Sequence, residues 1–358
     1  MRRKKKEYRF PGFSETFVIV KGSCNIFYEN DSVYTPLFSL NATRIFVPTT
    51  KKWALSEIVR VQIRILNEVT IYEGRAIVEA HNTCCFDLLG QGITLRFLGL
   101  HTVVRGFRGR YRQIRRAHDM LADSALDTIR YALAEAGGNT VVREFGEPYA
   151  GFKQPVVLIQ GWLGTRGIFR IFENRLKADG FQVLSFNLGR FNVQDIKKSA
   201  EIIAKKISNL RDHHHLEKID IVGHSMGGLI GLYALKRLGV SDSVNRLITV
   251  GTPYHGTNIA YAGLPFFGLT GKGLWQLLPD SKFLQALHEG RLPDGTEVIS
   301  IMSRHDFLAP GQTAVLEGAI NLLVSAGHAS LAVNDEVYKV LRAVLHGRQP
   351  FLEEMGYG

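Results

Sequence analysis

Three widely separated side chains carry the reactive chemistry of this sequence: Ser225, Asp306 and His328. Ser225 lies in Gly223-His224-Ser225-Met226-Gly227, a G-x-S-x-G run with the apolar "IDIV" before it and the helical "LIGLYALKRL" after it. A strand that turns sharply into a helix at such a run holds the serine exposed in a strained backbone, with small flanking residues that let neighbouring elements close in. A serine hydroxyl attacks a carbonyl only when a base takes its proton, so a histidine oriented by a carboxylate is required. In this strand-turn-helix setting the chain order is serine, acid, histidine. Asp306 follows the apolar strand of "TEVISIMSRHD", and His328 follows it in "SAGHASLA". The other histidines fit less well. His305 adjoins Asp306 and cannot face it across a site, while His213, His214 and His215 precede the serine strand at its far end. His224 is fixed beside the nucleophile and shapes the turn.

Attack on a carbonyl places negative charge on its oxygen, which preorganised backbone N–H groups must meet. One donor is expected from Met226, in the first turn of the helix after Ser225, where amides have no intrahelical acceptor. The second is expected from Trp162 in "IQGWLGTRG", the glycine-rich loop after the strand "PVVL".

These residues need a scaffold that delivers them to one edge. "PVVLIQG", "FQVLSFN", "KIDIVG", "NRLITVG" and "TEVISIMS" read as compact apolar strands. Between the second and third, "IKKSAEIIAKKISNL" repeats Ile196, Ala200, Ile203, Ile207 and Leu210 at helical spacing. Buried strands alternating with helices predict a mainly parallel sheet covered on both faces, with its chemistry at the carboxyl ends of the strands. The Leu-, Phe- and Gly-rich segment 258–287 is expected to form either a cap over the serine or an ordinary helix packed on the sheet.

Upstream the pattern changes. In "VRVQIRI", Val59, Val61, Ile63 and Ile65 alternate with Arg60, Gln62 and Arg64, the signature of a half-buried strand, and several similar runs lie between residues 15 and 100. Strands without intervening helices predict a small antiparallel barrel over residues 1–112. "MLADSALDTIRYALAEAGG" then predicts an amphipathic helix within a linker over 113–152, ahead of a catalytic region over 153–358.

The composition is globular, with 45% hydrophobic and 22% charged residues in 358. The formal charge of +11 is uneven: residues 1–120 hold 20 Lys or Arg against 10 Asp or Glu. Anionic partners therefore belong to the first part of the chain. The basic arm Arg2 to Lys6 and the arginines from Arg105 to Arg116 suit an anionic membrane surface or plain solvation. Few stacking aromatics accompany them, so specific nucleic-acid binding is not expected. Cys24, Cys84 and Cys85 read as ordinary thiols of a reducing compartment, with no metal-ligand spacing. After "MRRKKKEYRF" the apolar run is too short for a secretory signal, and no stretch reaches membrane-spanning length, so the expected place is the cytoplasm, with peripheral membrane contact.

Residues 153–347 resemble the α/β-hydrolases, in particular bacterial lipases and the lipases related to GPI-inositol deacylases. The resemblance rests on the Gly223 to Gly227 run, on Gln160-Gly161-Trp162 where that family has His-Gly-x, on "GTPYHGT" (Gly251 to Thr257), on "SRHDFLAP" and on "GHASL". It implies an α/β-hydrolase fold and serine hydrolysis. Residues 2–100 resemble the PilZ domain, a small β-barrel that in many bacterial proteins binds cyclic di-GMP, through Lys5 and Arg9 at one motif spacing and Asn41 to Phe46 at another. That resemblance implies a cyclic-dinucleotide partner.

The expected activity is cleavage of carboxylic esters of hydrophobic acyl chains, with an ester or lipid substrate and neither cofactor nor metal. An acyltransferase or thioesterase using the same triad, a silent binding module, and a nucleotide-sensing adaptor are the alternatives. A different acyl acceptor, failure to react with a phosphonate, and saturable nucleotide binding would mark them in turn.

Overall fold

The computed structural model describes residues 17–29, 31–41, 43–65, 71–83, 91–103, 138, 155–186, 188, 191–214, 216, 218–268, 271–303, 306–324, 326–328 and 330–347. The basic arm, Lys5, Arg9, the adjacent Cys84 and Cys85, the arginines from Arg105 to Arg116, His215 and His305 lie outside them. So does the expected linker helix over 113–152, apart from Gly138.

Two compact units are present. The first holds β1 (Val18–Tyr28), β2 (Asp31–Leu40), β3 (Arg44–Pro48), β4 (Ile58–Ile65), β5 (Ile71–Thr83), β6 (Gln91–Val103) and β12 (Ile320–Val324). The second holds β7 (Val156–Ile159), β8 (Val183–Ser185), β9 (Ile219–His224), β10 (Val244–Val250) and β11 (Glu297–Ser303). Its helices are α1 (Arg170–Ala178), α2 (Ile196–His214), α3 (Met226–Arg237), α4 (Ile259–Phe267), α5 (Gly273–Gln276), α6 (Lys282–His288), α7 (Gly311–Ala314) and α8 (Asp335–Leu345).

In the first unit the alternation read from sequence sets the faces. Val59, Val61, Ile63 and Ile65 of β4 are buried while Arg60 and Arg64 are exposed. Cys24 of β1 is buried, which pushes its thiol up. Partners, however, differ from expectation. β1 pairs antiparallel with β2 and with β4, and it also pairs in parallel with β12, Ile19 opposite Leu322 and Val20 opposite Leu323. The edge of β1 that meets β12 at Ile19 and Val20 meets β4 from Gly22 onward, and its pairing with β2 shifts register over the same stretch, between Lys21 and Cys24.

Within the first unit the hydrogen-bonded strand order is β2-β3-β6-β5-β4-β1-β12, and within the second it is β11-β10-β9-β7-β8. This corrects the expectation of a separate antiparallel barrel ahead of the α/β region, and with it the PilZ resemblance. A strand from residues 320–324 belongs with the N-terminal ones, so they do not form a module closed on itself in sequence. The residues matched to the nucleotide motif are committed internally. Asn41 Oδ1 accepts from the N–H groups of Thr43 and Arg44 at 3.0 and 2.8 Å, Arg44 pairs with Glu79 at 2.6 Å, and Phe46 is buried. The cyclic-dinucleotide expectation goes with the module that suggested it.

In the second unit β8, β7, β9, β10 and β11 run parallel, with short registers of buried Val, Ile and Leu. Ile196, Ala200, Ile203, Ile207 and Leu210 of α2 are all buried, as their spacing predicts. α3 is buried along nearly its whole length, and Gly227 explains how it approaches β7: a Cβ there would stand 2.1 Å from the Ile159 carbonyl oxygen. Among the described residues no helix is long and apolar enough to cross a membrane.

Candidate active site

Ser225 sits between β9 and α3 with φ 53° and ψ −124°, a left-handed conformation that non-glycine residues rarely adopt. Such strain costs roughly 1–3 kcal/mol and persists where surrounding contacts over-determine it. Here the Ser225 N–H donates to the Val250 carbonyl at 2.9 Å. Its own carbonyl accepts from the Gly228 N–H at 3.0 Å and from Thr252 Oγ1 at 2.9 Å. β10 and the loop after it therefore fix the turn from one side, and the first turn of α3 fixes it from the other.

The strand-end loops bring the acid and the histidine together. His328 Nδ1 and Asp306 Oδ2 are 2.6 Å apart, both residues almost fully buried. The second carboxylate oxygen of Asp306 accepts from the N–H groups of Leu308 and Ala309 at 2.9 and 2.7 Å. This arrangement uses both oxygens and leaves Oδ2 aimed at the ring. Gly251, at the end of β10 with φ +60°, lies against the pair: a Cβ there would fall 3.1 Å from Asp306 Oδ2 and 3.4 Å from His328 Nδ1.

His224 occupies the place expected of it. Its ring is buried edge-on to Phe169, its centroid is 5.1 Å from that of His328, and Nε2 lies 3.3 Å from the His328 carbonyl oxygen. Burial, and secondarily the neighbouring His328, lowers its pKa to about 3, so the ring stays neutral and is a poor proton acceptor. It ties the residue before Ser225 to the backbone of His328.

The loop after β7 also meets the serine. A Cβ on Gly161 would lie 2.9 Å from Ser225 Cβ and 3.4 Å from Ser225 Oγ, so only glycine fits there. Met226 is the first residue of α3, and Trp162 follows Gly161 directly. The Trp162 ring packs edge-on to Phe267 at 5.4 Å, and α4 also approaches it at Gly263. A Cβ on Gly273 of α5 would lie 3.3 Å from Met226 Sδ. Residues 258–287 thus pack on both expected donors, and Ile259, Tyr261, Phe267 and Trp275 of the same segment face solvent.

Ser225, Met226, Gly161 and Trp162 are thereby gathered along one edge, and Asp306 and His328 form one contact next to Gly251. Among the described residues no group of three or more His, Cys, Asp or Glu could hold a metal ion.

The arrangement can be set beside known proteins. Residues 154–272 match the alpha/beta hydrolase fold. The match covers about a third of the chain and includes Gly161, Trp162, Ser225 and Met226. Similar solved structures include a lipase of Bacillus licheniformis, BlEst2 in propeptide form, at 20% identity over 56% of this chain and 52% of that one, with a TM-score of 0.48. Lipase B of Aspergillus fumigatus is 20% identical over 57% and 55%, with a TM-score of 0.47. A monoacylglycerol lipase of Paleococcus ferrophilus is 16% identical over 55% and 95%, with a TM-score of 0.41. The chain spans about half the length of the first two.

Within the hydrolase-fold region, sequence reasoning missed two supporting residues. Thr252 lies in the "GTPYHGT" stretch already singled out, where a hydroxyl next to the left-handed Gly251 marks a side chain able to brace a turn. Asn192 had only a faint signal, an asparagine in the loop after β8.

Proposed function

We propose that the protein is a serine hydrolase that cleaves carboxylic esters of hydrophobic acyl chains. The observation that carries this reading is the buried 2.6 Å contact between His328 Nδ1 and Asp306 Oδ2, taken together with a serine held at a strained strand-to-helix turn. In the proposed mechanism His328, held by Asp306 so that Nε2 is free to accept, takes the proton of Ser225 as its Oγ attacks the ester carbonyl. The Met226 and Trp162 N–H groups stabilise the oxyanion, the alcohol leaves with the proton from His328, and water releases the acyl group by the same steps. The supporting frame is that the loops from β7, β9, β10 and β11 all leave the carboxyl ends of parallel strands.

The preference for apolar acyl chains is supported by residues 258–287. The Phe267 ring packs on Trp162, the segment carries further Leu and Phe side chains, and such a surface favours hydrocarbon over polar groups and excludes water from the serine. In this proposal those residues are the cap, the catalytic region runs from 153 to 358, and the protein works in the cytoplasm and at the membrane surface where lipid esters lie.

An alkyl fluorophosphonate tests the chemistry. The wild-type protein is expected to gain one phosphonyl group, mapped by peptide mass to Ser225. Labelling elsewhere, or none on folded protein, would overturn the proposal.

A further inference from the structure

Asn192 lies in the loop after β8 with its side chain almost fully buried and its backbone in the left-handed region, φ +45°. Its Nδ2 donates to the Gln160 carbonyl at 2.8 Å and to the Gly161 carbonyl at 3.3 Å, and its Oδ1 accepts from Ser199 Oγ of α2 at 3.3 Å. Two successive carbonyls above and a hydroxyl below require a group with two donors and an acceptor in one plane. A carboxamide supplies this and a carboxylate does not. Asparagine also tolerates the left-handed backbone better than other side chains of its size.

The two carbonyls are those of the peptides that lie against the nucleophile. In a trans peptide the C=O and the following N–H point in opposite directions, and no cis bond occurs here. Holding the Gly161 oxygen therefore fixes the direction of the Trp162 N–H, and holding the Gln160 oxygen fixes that of Gly161. The Gly164 N–H, which also donates to the Gly161 oxygen at 3.2 Å, acts from within the same loop. Among the described residues, Asn192 is the side-chain tie from outside it.

The turn that carries Asn192 is itself held. Gln276 of α5 accepts from the Ile196 N–H at 2.8 Å and donates to Asp195 Oδ1 at 2.7 Å. Gly271 and Gly273 let the same segment lie against the Val193 and Gln194 carbonyls, where any Cβ would collide. A buried, left-handed, multiply braced asparagine has more constraint than connecting β8 to α2 demands.

We propose that Asn192 is a positioning residue that presets the Trp162 N–H for the oxyanion by pinning the Gln160 and Gly161 carbonyls. The proposal rests on the serine-hydrolase reading above, with Trp162 as a donor. It is tested with Asn192→Gly, which keeps the backbone conformation and removes the amide, and Asn192→Asp, which replaces the donor with an acceptor. Turnover of a short p-nitrophenyl ester, melting temperature, and the inhibition constant of an alkyl trifluoromethyl ketone, which forms a tetrahedral adduct, are read for each. A misdirected donor is expected to lower kcat roughly 10- to 100-fold with KM within about threefold. The ketone inhibition constant should rise by the same factor as kcat/KM falls, because both report the tetrahedral state. Ser199→Ala, which only loosens the amide, should repeat the pattern at a few-fold and serves if the Asn192 variants fold poorly. Unchanged kcat in folded variants, or losses in melting temperature and KM with no matching loss of ketone affinity, would overturn the proposal. Wild-type turnover that survives Ser225→Ala would instead bring down the hydrolase reading itself.

Discussion

Asp306→Asn isolates what the carboxylate does, because the surroundings dictate how the amide must sit. Asp306 Oδ1 is engaged by two backbone N–H donors, Leu308 and Ala309, at 2.9 and 2.7 Å. An asparagine keeps these contacts only if its carbonyl oxygen takes that side, which puts its NH2 group 2.6 Å from His328 Nδ1 in place of Oδ2. Nδ1 must then accept, so the ring proton moves to Nε2, the nitrogen that receives the serine proton in the proposed mechanism. The fold loses little, since shape and the two backbone contacts remain, and a cost on the order of 1 kcal/mol is expected from exchanging one hydrogen bond for another. Catalysis loses the correct tautomer, a defect worth about four orders of magnitude in a comparable triad, or about 5 kcal/mol of barrier. The assay is steady-state hydrolysis of p-nitrophenyl butyrate alongside urea unfolding. An Asp306→Asn enzyme within tenfold of wild type, or one that fails through unfolding alone, would refute this reasoning.

Gly251→Ala should damage both fold and rate. A Cβ would stand 2.7 Å from Leu331 Cδ1 and 3.1 Å from Asp306 Oδ2 at φ +60°; left-handed backbone and overpacking together cost roughly 2–4 kcal/mol, and kcat should fall at least tenfold, whereas stability and kcat near wild type would contradict the packing. Stability should also fall in mild acid. His224 titrates near 6.5 when unfolded but at about 3 when folded, so between those values the unfolded chain binds a proton that the native one refuses. Stability is complete above about pH 6.5 and drops by a little over 1 kcal/mol per pH unit below it. His255, lowered mainly by burial, adds in the same direction. Urea titrations from pH 7.5 to 4.5 on wild type and His224→Gln should differ in slope by one proton, and equal slopes would refute the assignment.

Local pattern carried the parts that depend on local physics. The alternation in β4, the helical spacing in α2 and the strand-turn-helix around Ser225 each follow from residues within one element. Periodicity tells which face of a strand is buried but says nothing about its neighbour. β1 shows this: its pattern fits an antiparallel sheet, yet Ile19 and Val20 lie beside Leu322 and Leu323, some 300 residues away in the chain. The short run "INLLV" carries no alternation, and strand β12 passed unread between the acid and histidine loops. Asn192 was hidden for a related reason. Its role comes from the direction in which a left-handed loop aims one amide, and that direction is set by Ser199, Gln276 and the packed glycines of a distant segment.

Whether Ser225 is the nucleophile of an ester hydrolase is decided by hydrolysis of p-nitrophenyl esters from two to sixteen carbons with wild type and Ser225→Ala in parallel. Wild-type turnover is expected to strengthen on longer acyl chains and to fall by a factor of at least about 1000 in a folded Ser225→Ala protein. Equal rates in the two proteins, or no hydrolysis of any ester by folded wild type, would contradict that role for Ser225.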